Sequence, residues 1–286
     1  MDETIRKFGI IGYPLSHTLS PRMHHALFQH YGLKAQYDAF EIDPDHWMTT
    51  APQLRSRFEG FNVTLPYKEK ILAYLDFVDE TAAAIGAVNT VYYQNGKWCG
   101  INTDWRGLRE SWKKDYNIHV EGMNVVLFGT SGAARACLKA LEGAKFVRCV
   151  FRTRENAENM VNFCNKSLAV KAGLNQGSQK ELDLSLEEAN LIINATSIGL
   201  KPGDQFNFQK YRFDFQHVSP SAFVYDIIYS PCQTDLLKRA KERGCRTGNG
   251  KGMLVRQGAY AFEKWTGIKP DIEIMREAAG FESLRE

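Results

Sequence analysis

The 286-residue chain contains no apolar run approaching the roughly 20 residues that a membrane-spanning helix needs. Nor does it carry a long block of one charge: 36 basic residues stand against 33 acidic ones, for a formal net charge of +3. That balance leaves no footprint for nucleic acid or a charged membrane surface, although a local basic spot could still serve a small anion. The six cysteines (Cys99, Cys137, Cys149, Cys164, Cys232 and Cys245) are scattered without a Cys-x-x-Cys pair. With the seven histidines they form no metal-ligand spacing, so no metal is expected. Cysteines spread this way in a chain this long read as thiols of a reducing compartment. The first residues include Asp2 and Glu3, and the apolar run after them is broken by Gly9 and Gly12. They do not read as a secretion signal, and the expected location is the cytoplasm. A Gly-x-Ser-x-Gly nucleophile elbow, an internal repeat and a low-complexity linker are all absent.

What is present is an ordinary core-forming composition, 44% hydrophobic and 24% charged, in a length suited to one large or two modest α/β domains. Strand-like and helix-like segments alternate. Strands are predicted over 7–11, 36–42 and 61–64, with helices over 21–31, 67–75 and 80–86. Asn95-Gly96 between 90–93 and 97–101 is a type I′ hairpin signal. After a polar helix over 104–115, Asn124 to Phe128 forms a continuous apolar run, as a buried parallel strand should. A helix to about residue 143 follows, then strands over 146–151, 191–194 and 223–228, and closing helices over 253–265 and 271–279. Segment 166–190 shows no readable period. Strand–helix alternation implies right-handed crossovers and a mostly parallel sheet.

Gly129-Thr130-Ser131-Gly132-Ala133-Ala134 joins a strand to a helix, the context a dinucleotide-binding turn requires. Ser131 stands where Gly-x-Gly-x-x-Gly/Ala has its middle glycine, so the turn alone fits an ordinary strand–helix connection equally well. The next strand ends Phe151-Arg152-Thr153-Arg154. An acidic residue there would bond a ribose 2′-hydroxyl, whereas guanidiniums grip a 2′-phosphate, which favours NADP over NAD. A solvated charged turn is the plainer alternative, since Glu155 and Glu158 follow.

Two further segments can carry chemistry. Ser16, Thr18 and Ser20 offer three hydroxyls beside a helix N-terminus, a seat for a carboxylate, while Ser20-Pro21 also reads as an N-cap and N1 pair. Asn62-Val63-Thr64-Leu65-Pro66-Tyr67-Lys68 ends a strand, where ligands sit in parallel α/β folds. Taken singly, Lys68 is a solvated lysine and Asp104 a helix cap. His17 and His24 beside the first motif read as packed residues.

Together these segments resemble the shikimate dehydrogenases nearly end to end. The likeness is carried by Ser-His-Thr-Leu-Ser-Pro at 16–21, residues 62–68, Gly-Ala-Val-Asn-Thr at 86–90 and Asn-Thr-Asp at 102–104. It continues through Asn-Ala-Thr-Ser-Ile-Gly at 194–199, Tyr-Asp-Ile-Ile-Tyr-Ser-Pro at 225–231 and Gly-Met-Leu-Val-Arg-Gln at 252–257. The resemblance implies two α/β domains with a cleft between them. A substrate domain, 1–104 completed by helices from 250–286, accompanies a Rossmann-like NADP domain, 105–249. It implies reversible hydride transfer between NADPH and 3-dehydroshikimate. Thr18 and Ser20 would hold the substrate carboxylate. Thr64, Asn89, Asp104 and Gln257 would bond its hydroxyls, with Tyr229 nearby. Gly129, Ser131, Gly132 and Ala133 would meet the pyrophosphate, Arg152, Thr153 and Arg154 the 2′-phosphate, and Thr196 and Gly252 the rest of the cofactor.

Charge then suggests the mechanism. Hydride arriving at a carbonyl carbon needs a proton donor at its oxygen, and Lys68, paired with Asp104, is the expected general acid, acting as base in the reverse direction. The partners expected are a small molecule and no nucleic acid or membrane, with a monomer or homodimer. Thr18, Ser131, Phe151, Asp235, Asn249 and His25 depart from the family's usual residues, and the last three have no sequence-level account. Alternatives are a quinate/shikimate enzyme using NAD or both cofactors, a modified-ring paralogue, a regulatory module without catalysis, and a methyltransferase. The last explains none of 16–21, 62–68 or 252–257.

Overall fold

A computed structural model describes residues 5–151, 168–174, 179–201 and 213–283, together with Glu155, Glu158, Met160 and Asp204. The chain divides into two compact units, residues 1–107 with 255–286, and residues 108–254. Both divisions fall inside helices, those spanning Asp104–Tyr116 and Lys251–Thr266.

The first unit is built on a mixed sheet of β1 (Arg6–Gly12), β2 (Ala35–Glu41), β3 (Gly60–Val63), β4 (Phe77–Val78), β5 (Thr90–Gln94) and β6 (Lys97–Ile101), in the order β2-β1-β3-β5-β6-β4. β1 lies parallel to both β2 and β3, whereas β5 runs antiparallel to β3 and β6. The hairpin signal is realised: Asn95 and Gly96 both have positive φ, 52° and 78°, as a type I′ turn demands. Helices α1 (Ser20–His30), α2 (Trp47–Thr50), α3 (Leu54–Arg57) and α4 (Glu80–Ile85) precede α5 (Asp104–Tyr116). β3 is buried along its whole length, and its residue Gly60 is where a side chain would strike the Trp265 indole, whose Nε1 donates to the Val91 carbonyl at 3.0 Å. That contact ties the late segment of the chain to the sheet.

The second unit holds β7 (Asn124–Phe128), α6 (Gly132–Ala140), β8 (Phe146–Val150), β9 (Ala172–Leu174), α7 (Gln179–Glu187), β10 (Leu191–Asn194), β11 (Phe223–Asp226), α8 (Asp235–Glu242) and β12 (Arg246–Asn249). Every strand pair is parallel, in the order β12-β11-β10-β7-β8-β9. Renumbered from β7, this is the 3-2-1-4-5-6 order of a Rossmann sheet, with its switch point between β7 and β10. The last helices are α9 (Lys251–Thr266) and α10 (Ile272–Ala278).

Several sequence expectations need correction. Residues 67–75 do not form an α-helix; only Lys70–Tyr74 coil, as a 3₁₀ turn. The Lys68 carbonyl, which an α-helix would use internally, instead accepts from the Val88 N–H at 2.8 Å. Tyr67 is held from the other side, stacked on Trp47 with centroids 4.1 Å apart and donating to the Ile42 carbonyl. Ser20 is not the N-cap of α1: Leu19 takes that position, without a side-chain cap, and Ser20 is the first helical residue. Asp104 does not cap α5 from outside but is its first residue, and Asn102 Oδ1 accepts the Asp104 N–H at 3.0 Å. The unreadable stretch 166–190 contains β9 and α7 among its described residues.

Three substitutions without a sequence-level account acquire one here. His25 Nε2 accepts the Tyr37 N–H at 3.0 Å. Asn249 Oδ1 accepts the Lys251 N–H while its amide donates to the Cys232 carbonyl, fixing the entry to α9. Asp235 opens α8, where an acidic residue suits the helix dipole, and lies 3.5 Å from Arg239 one turn on.

His24 is fully buried in an aromatic cluster, stacked on Tyr37 at 4.3 Å with Phe28, Phe262 and Trp265 around it. Among the described residues neither ring nitrogen has a hydrogen-bond partner. Burial, reinforced by neighbouring His25, lowers its pKa to about 3. The folded state therefore binds this proton less readily than the unfolded chain. The resulting stability is present above the ordinary value of 6.5 and is lost as pH falls toward 3. His24→Phe should reduce the loss of unfolding free energy between pH 7 and pH 4 by on the order of 2–3 kcal/mol, read by urea unfolding. An unchanged pH dependence would contradict the assignment.

Candidate functional site

In the first unit the two candidate catalytic side chains meet. Lys68 Nζ donates to Asp104 Oδ2 at 2.6 Å, with side chains only 16% and 5% exposed. Lys68 is placed by the turn after β3 and Asp104 by the start of α5. The other carboxylate oxygen of Asp104 accepts from Asn89 Nδ2 at 2.8 Å. Asn89 cannot turn its amide over, because its Oδ1 already accepts the Thr103 backbone N–H at 2.7 Å. The same Nδ2 lies 3.3 Å from Gln257 Oε1, and Thr103 Oγ1 donates to the Gln257 carbonyl at 3.0 Å. Lys68, Asn89, Asp104 and Gln257 thus form one connected group. Both Asp104 oxygens face donors, an arrangement that holds the Lys68 ammonium in a fixed direction.

Thr18 and Ser20 stand at the entry to α1. The Ser20 N–H points to Thr18 Oγ1 at 3.4 Å, and the Thr18 N–H donates to the Leu15 carbonyl. Ser20 is buried, so it faces inward as much as toward a ligand. Thr64, just past β3, packs its methyl against Gly12, where an added Cβ would lie 2.3 Å from it.

In the second unit the glycine turn sits at the switch point of the sheet. Gly129 follows β7 with φ +118°, and a Cβ there would lie 2.8 Å from the Ala195 carbonyl that follows β10. A side chain is excluded both by conformation and by space. Gly132 and Ala133 open α6, and Ser131, its N-cap, makes no side-chain cap hydrogen bond, so the first N–H groups of the helix are not closed off by it. This small-residue cradle fits the pyrophosphate of a dinucleotide. Thr196, beyond β10, is fixed through Asn194, whose Oδ1 accepts both its N–H and its hydroxyl. Tyr229 lies in the loop after β11, its phenol pushed to higher pKa by burial. Gly252 lies where a Cβ would meet Asp115 and Ser111 of α5, so its smallness serves helix contact within this unit. Arg152, Thr153 and Arg154 lie outside the described residues. Among the described residues, no group of three or more His, Cys, Asp or Glu could hold a metal ion, and no helix is long and apolar enough to cross a membrane.

Sequence reasoning missed the residues behind these groups. In the first unit they are Asn62, Thr90 and Thr103, and in the second Asn194, Asp226 and Thr234. The available signal was a run of amides and hydroxyls at strand ends, in 62, 89–90, 102–104 and 194–196, where apolar residues would otherwise be expected.

The family model for the shikimate dehydrogenase substrate binding domain matches residues 10–91, and that for the shikimate 5'-dehydrogenase C-terminal domain matches 250–279. A shikimate dehydrogenase (NADP(+)) of Alkaliphilus metalliredigens is 40% identical over 275 residues, 95% of each chain. Among solved structures, a shikimate dehydrogenase in complex with NADP+ superposes with a TM-score of 0.84 at 37% identity, over 96% of this chain and 94% of that one. The Thermus thermophilus shikimate 5-dehydrogenase in complex with NADP(H) and shikimate gives 0.82 at 33% identity, over 96% and 98%.

Asp226 ends β11 opposite Asn194 in register, fully buried. It accepts from Thr234 Oγ1 (2.7 Å), Asn194 Nδ2 (3.1 Å) and the Ile228 N–H (3.1 Å). Burial raises its pKa to about 6 against those hydrogen bonds. The folded state binds this proton more tightly than the unfolded chain. The associated stability is present below the ordinary value of 3.8 and is lost as pH rises through 6. Asp226→Asn should therefore gain stability relative to the natural chain between pH 4 and pH 7, by on the order of 2–3 kcal/mol. Urea midpoints of both proteins across that range check this, and a difference independent of pH would refute it.

Proposed function

The chain belongs to the shikimate dehydrogenase family, and from that premise we propose that it catalyses the reversible NADPH-dependent reduction of 3-dehydroshikimate to shikimate. The observation that carries the reading is the buried contact between Lys68 and Asp104 at a strand-end turn, braced by Asn89. In this reading the first unit binds the ring and the second the dinucleotide. A small-molecule substrate, a cytoplasmic location and a monomer or homodimer go with it.

The cofactor, when bound, supplies hydride to the carbonyl carbon. The chain's own residues do the rest. Thr18 and Ser20 hold the carboxylate at the entry to α1. Thr64, Asn89, Asp104 and Gln257 bond the ring hydroxyls, with Tyr229 nearby, and fix which face is presented. Lys68 gives its proton to the carbonyl oxygen as negative charge develops there, and takes one from the hydroxyl in the reverse direction. Asp104 holds the ammonium and a substrate hydroxyl at once. Gly129, Ser131, Gly132 and Ala133 are the cradle for the pyrophosphate, Thr196 and Gly252 border the remaining cofactor, and Arg152, Thr153 and Arg154 select the 2′-phosphate.

Initial rates with shikimate and quinate, each with NADP+ and NAD+, test the substrate and cofactor together. Turnover with shikimate and NADP+ well above the other three combinations is expected; turnover with NAD+ alone would overturn the cofactor assignment. Lys68→Ala should lower kcat at least about 100-fold, the loss typical of removing a general acid–base group. Near-normal kcat in that variant would rule out its role.

A further inference from the structure

The Lys68–Asp104 pair is continuous with a buried hydrogen-bond chain that the reaction itself does not require. It starts at Tyr37, on β2, which is fully buried. Its hydroxyl donates to Asn62 Oδ1 at 2.7 Å. Asn62, on β3 and also buried, passes the constraint on through Nδ2, which donates to Thr90 Oγ1 at 3.0 Å and to the Asn89 carbonyl at 3.2 Å. Thr90 Oγ1 in turn donates to Asn89 Oδ1 at 3.2 Å. From Asn89 the chain reaches Asp104 and then Lys68.

The links made by Asn62 have one direction. The Asn89 carbonyl can only accept, so Asn62 must present its NH₂ there and its oxygen to Tyr37. Asn62 therefore needs a donor at Tyr37, and the phenol is kept protonated, its pKa pushed well up by burial. Thr90 Oγ1, having accepted from Asn62, lies within hydrogen-bond reach of Asn89 Oδ1 and of Thr103 Oγ1, and so backs the Asn89 amide whose NH₂ is directed at Asp104. Tyr37 is itself fixed on two sides: His24 stacks on its ring with planes 6° apart, and His25 accepts its backbone N–H.

We propose that Tyr37 is a positioning residue for the Lys68–Asp104 pair, acting through the buried chain Tyr37–Asn62–Thr90–Asn89. Without its hydroxyl, Asn62 Oδ1 loses its donor and Asn62 is held only through its own donations to Thr90 and the Asn89 carbonyl. Asn89 keeps its orientation through the Thr103 N–H but is held less firmly from behind, and its bond to Asp104 loosens. The kinetic half of the test rests on the function proposed above; the spectroscopic half does not.

The experiment compares the full-length chain with Tyr37→Phe, which removes one oxygen and leaves the aromatic packing. In turnover with shikimate and NADP+, kcat should fall about 5- to 10-fold, the scale of one lost hydrogen bond, while KM for NADP+ stays within about twofold. In ¹⁵N-asparagine-labelled protein, the Asn89 carboxamide protons should exchange with solvent about tenfold faster or more, following the same scale of lost protection. A side chain that only supports the core would lower the unfolding midpoint and leave both readings alone. If natural protein turns over shikimate, wild-type kcat or wild-type exchange in the folded variant overturns the proposal. If natural protein does not turn it over, the proposed function fails and exchange alone decides. Should Tyr37→Phe not fold, Thr90→Val interrupts the same chain at a different link and is read identically.

Discussion

A carboxylate almost wholly withdrawn from solvent is costly unless both of its oxygens find donors, and the first unit is arranged around meeting that condition for Asp104. Lys68 supplies one donor and Asn89 the other. Satisfying Asp104 fixes more than Asp104. Asn89 must keep its oxygen on Thr103 and its nitrogen on the carboxylate, so β5, the start of α5 and, through Gln257, helix α9 are held to one another. The Lys68 backbone is committed as well, its carbonyl given to Val88 rather than to a helix. A site assembled from a turn, a strand end and two helices is rigid because few polar atoms have a second choice of partner.

The second unit reaches order at its strand ends by similar means with a different outcome. Asp226 is buried with hydrogen-bond donors and, among the described residues, no cationic partner, and its proton is correspondingly hard to remove. It holds the loops after β10 and β11 through Asn194 and Thr234. The glycine at 129, meanwhile, brings the end of β7 against the end of β10. The same kind of residue is thus used in two ways. In the first unit a buried acid is paired with a lysine, and in the second a reluctant acid ties together the loops after two strands.

How much of this could be read beforehand depended on range. The hairpin at 95–96 was legible because its positive φ values are a local demand met by Asn and Gly. The parallel strands β7, β10 and β11 were legible because burial on both faces leaves continuous apolar runs. Lys68, Asp104, Asn89 and Gln257 were legible as residue types within motifs and are brought together as a group. What could not be read was the use of individual atoms. Nothing local to residues 67–75 reveals that Val88 will take the Lys68 carbonyl and prevent an α-helix. Ser20 reads as a cap because serine before proline usually is one, but it is drawn into the first turn of α1 and buried, and Asn102 accepts the Asp104 N–H. Interior polar networks are invisible to periodicity, which registers only that a position is not apolar.

The discontinuity of the first unit has a consequence for biosynthesis. Residues 108–254 are contiguous, so the second unit has all of its strands once that stretch has emerged, and domains generally fold as units in the order they are made. The first unit must wait. Trp265, which fits against Gly60 and donates to Val91, is 174 residues downstream of its partner, and Gln257 is 168 residues from Asn89. Until α9 and α10 arrive, the early sheet lacks their cover on that side and its nascent Phe8, Phe28 and Tyr37 lack the Phe262–Trp265 half of their aromatic cluster. The interval of translation between residues 107 and 255 is therefore a period of exposed apolar surface, when this chain has most need of chaperones.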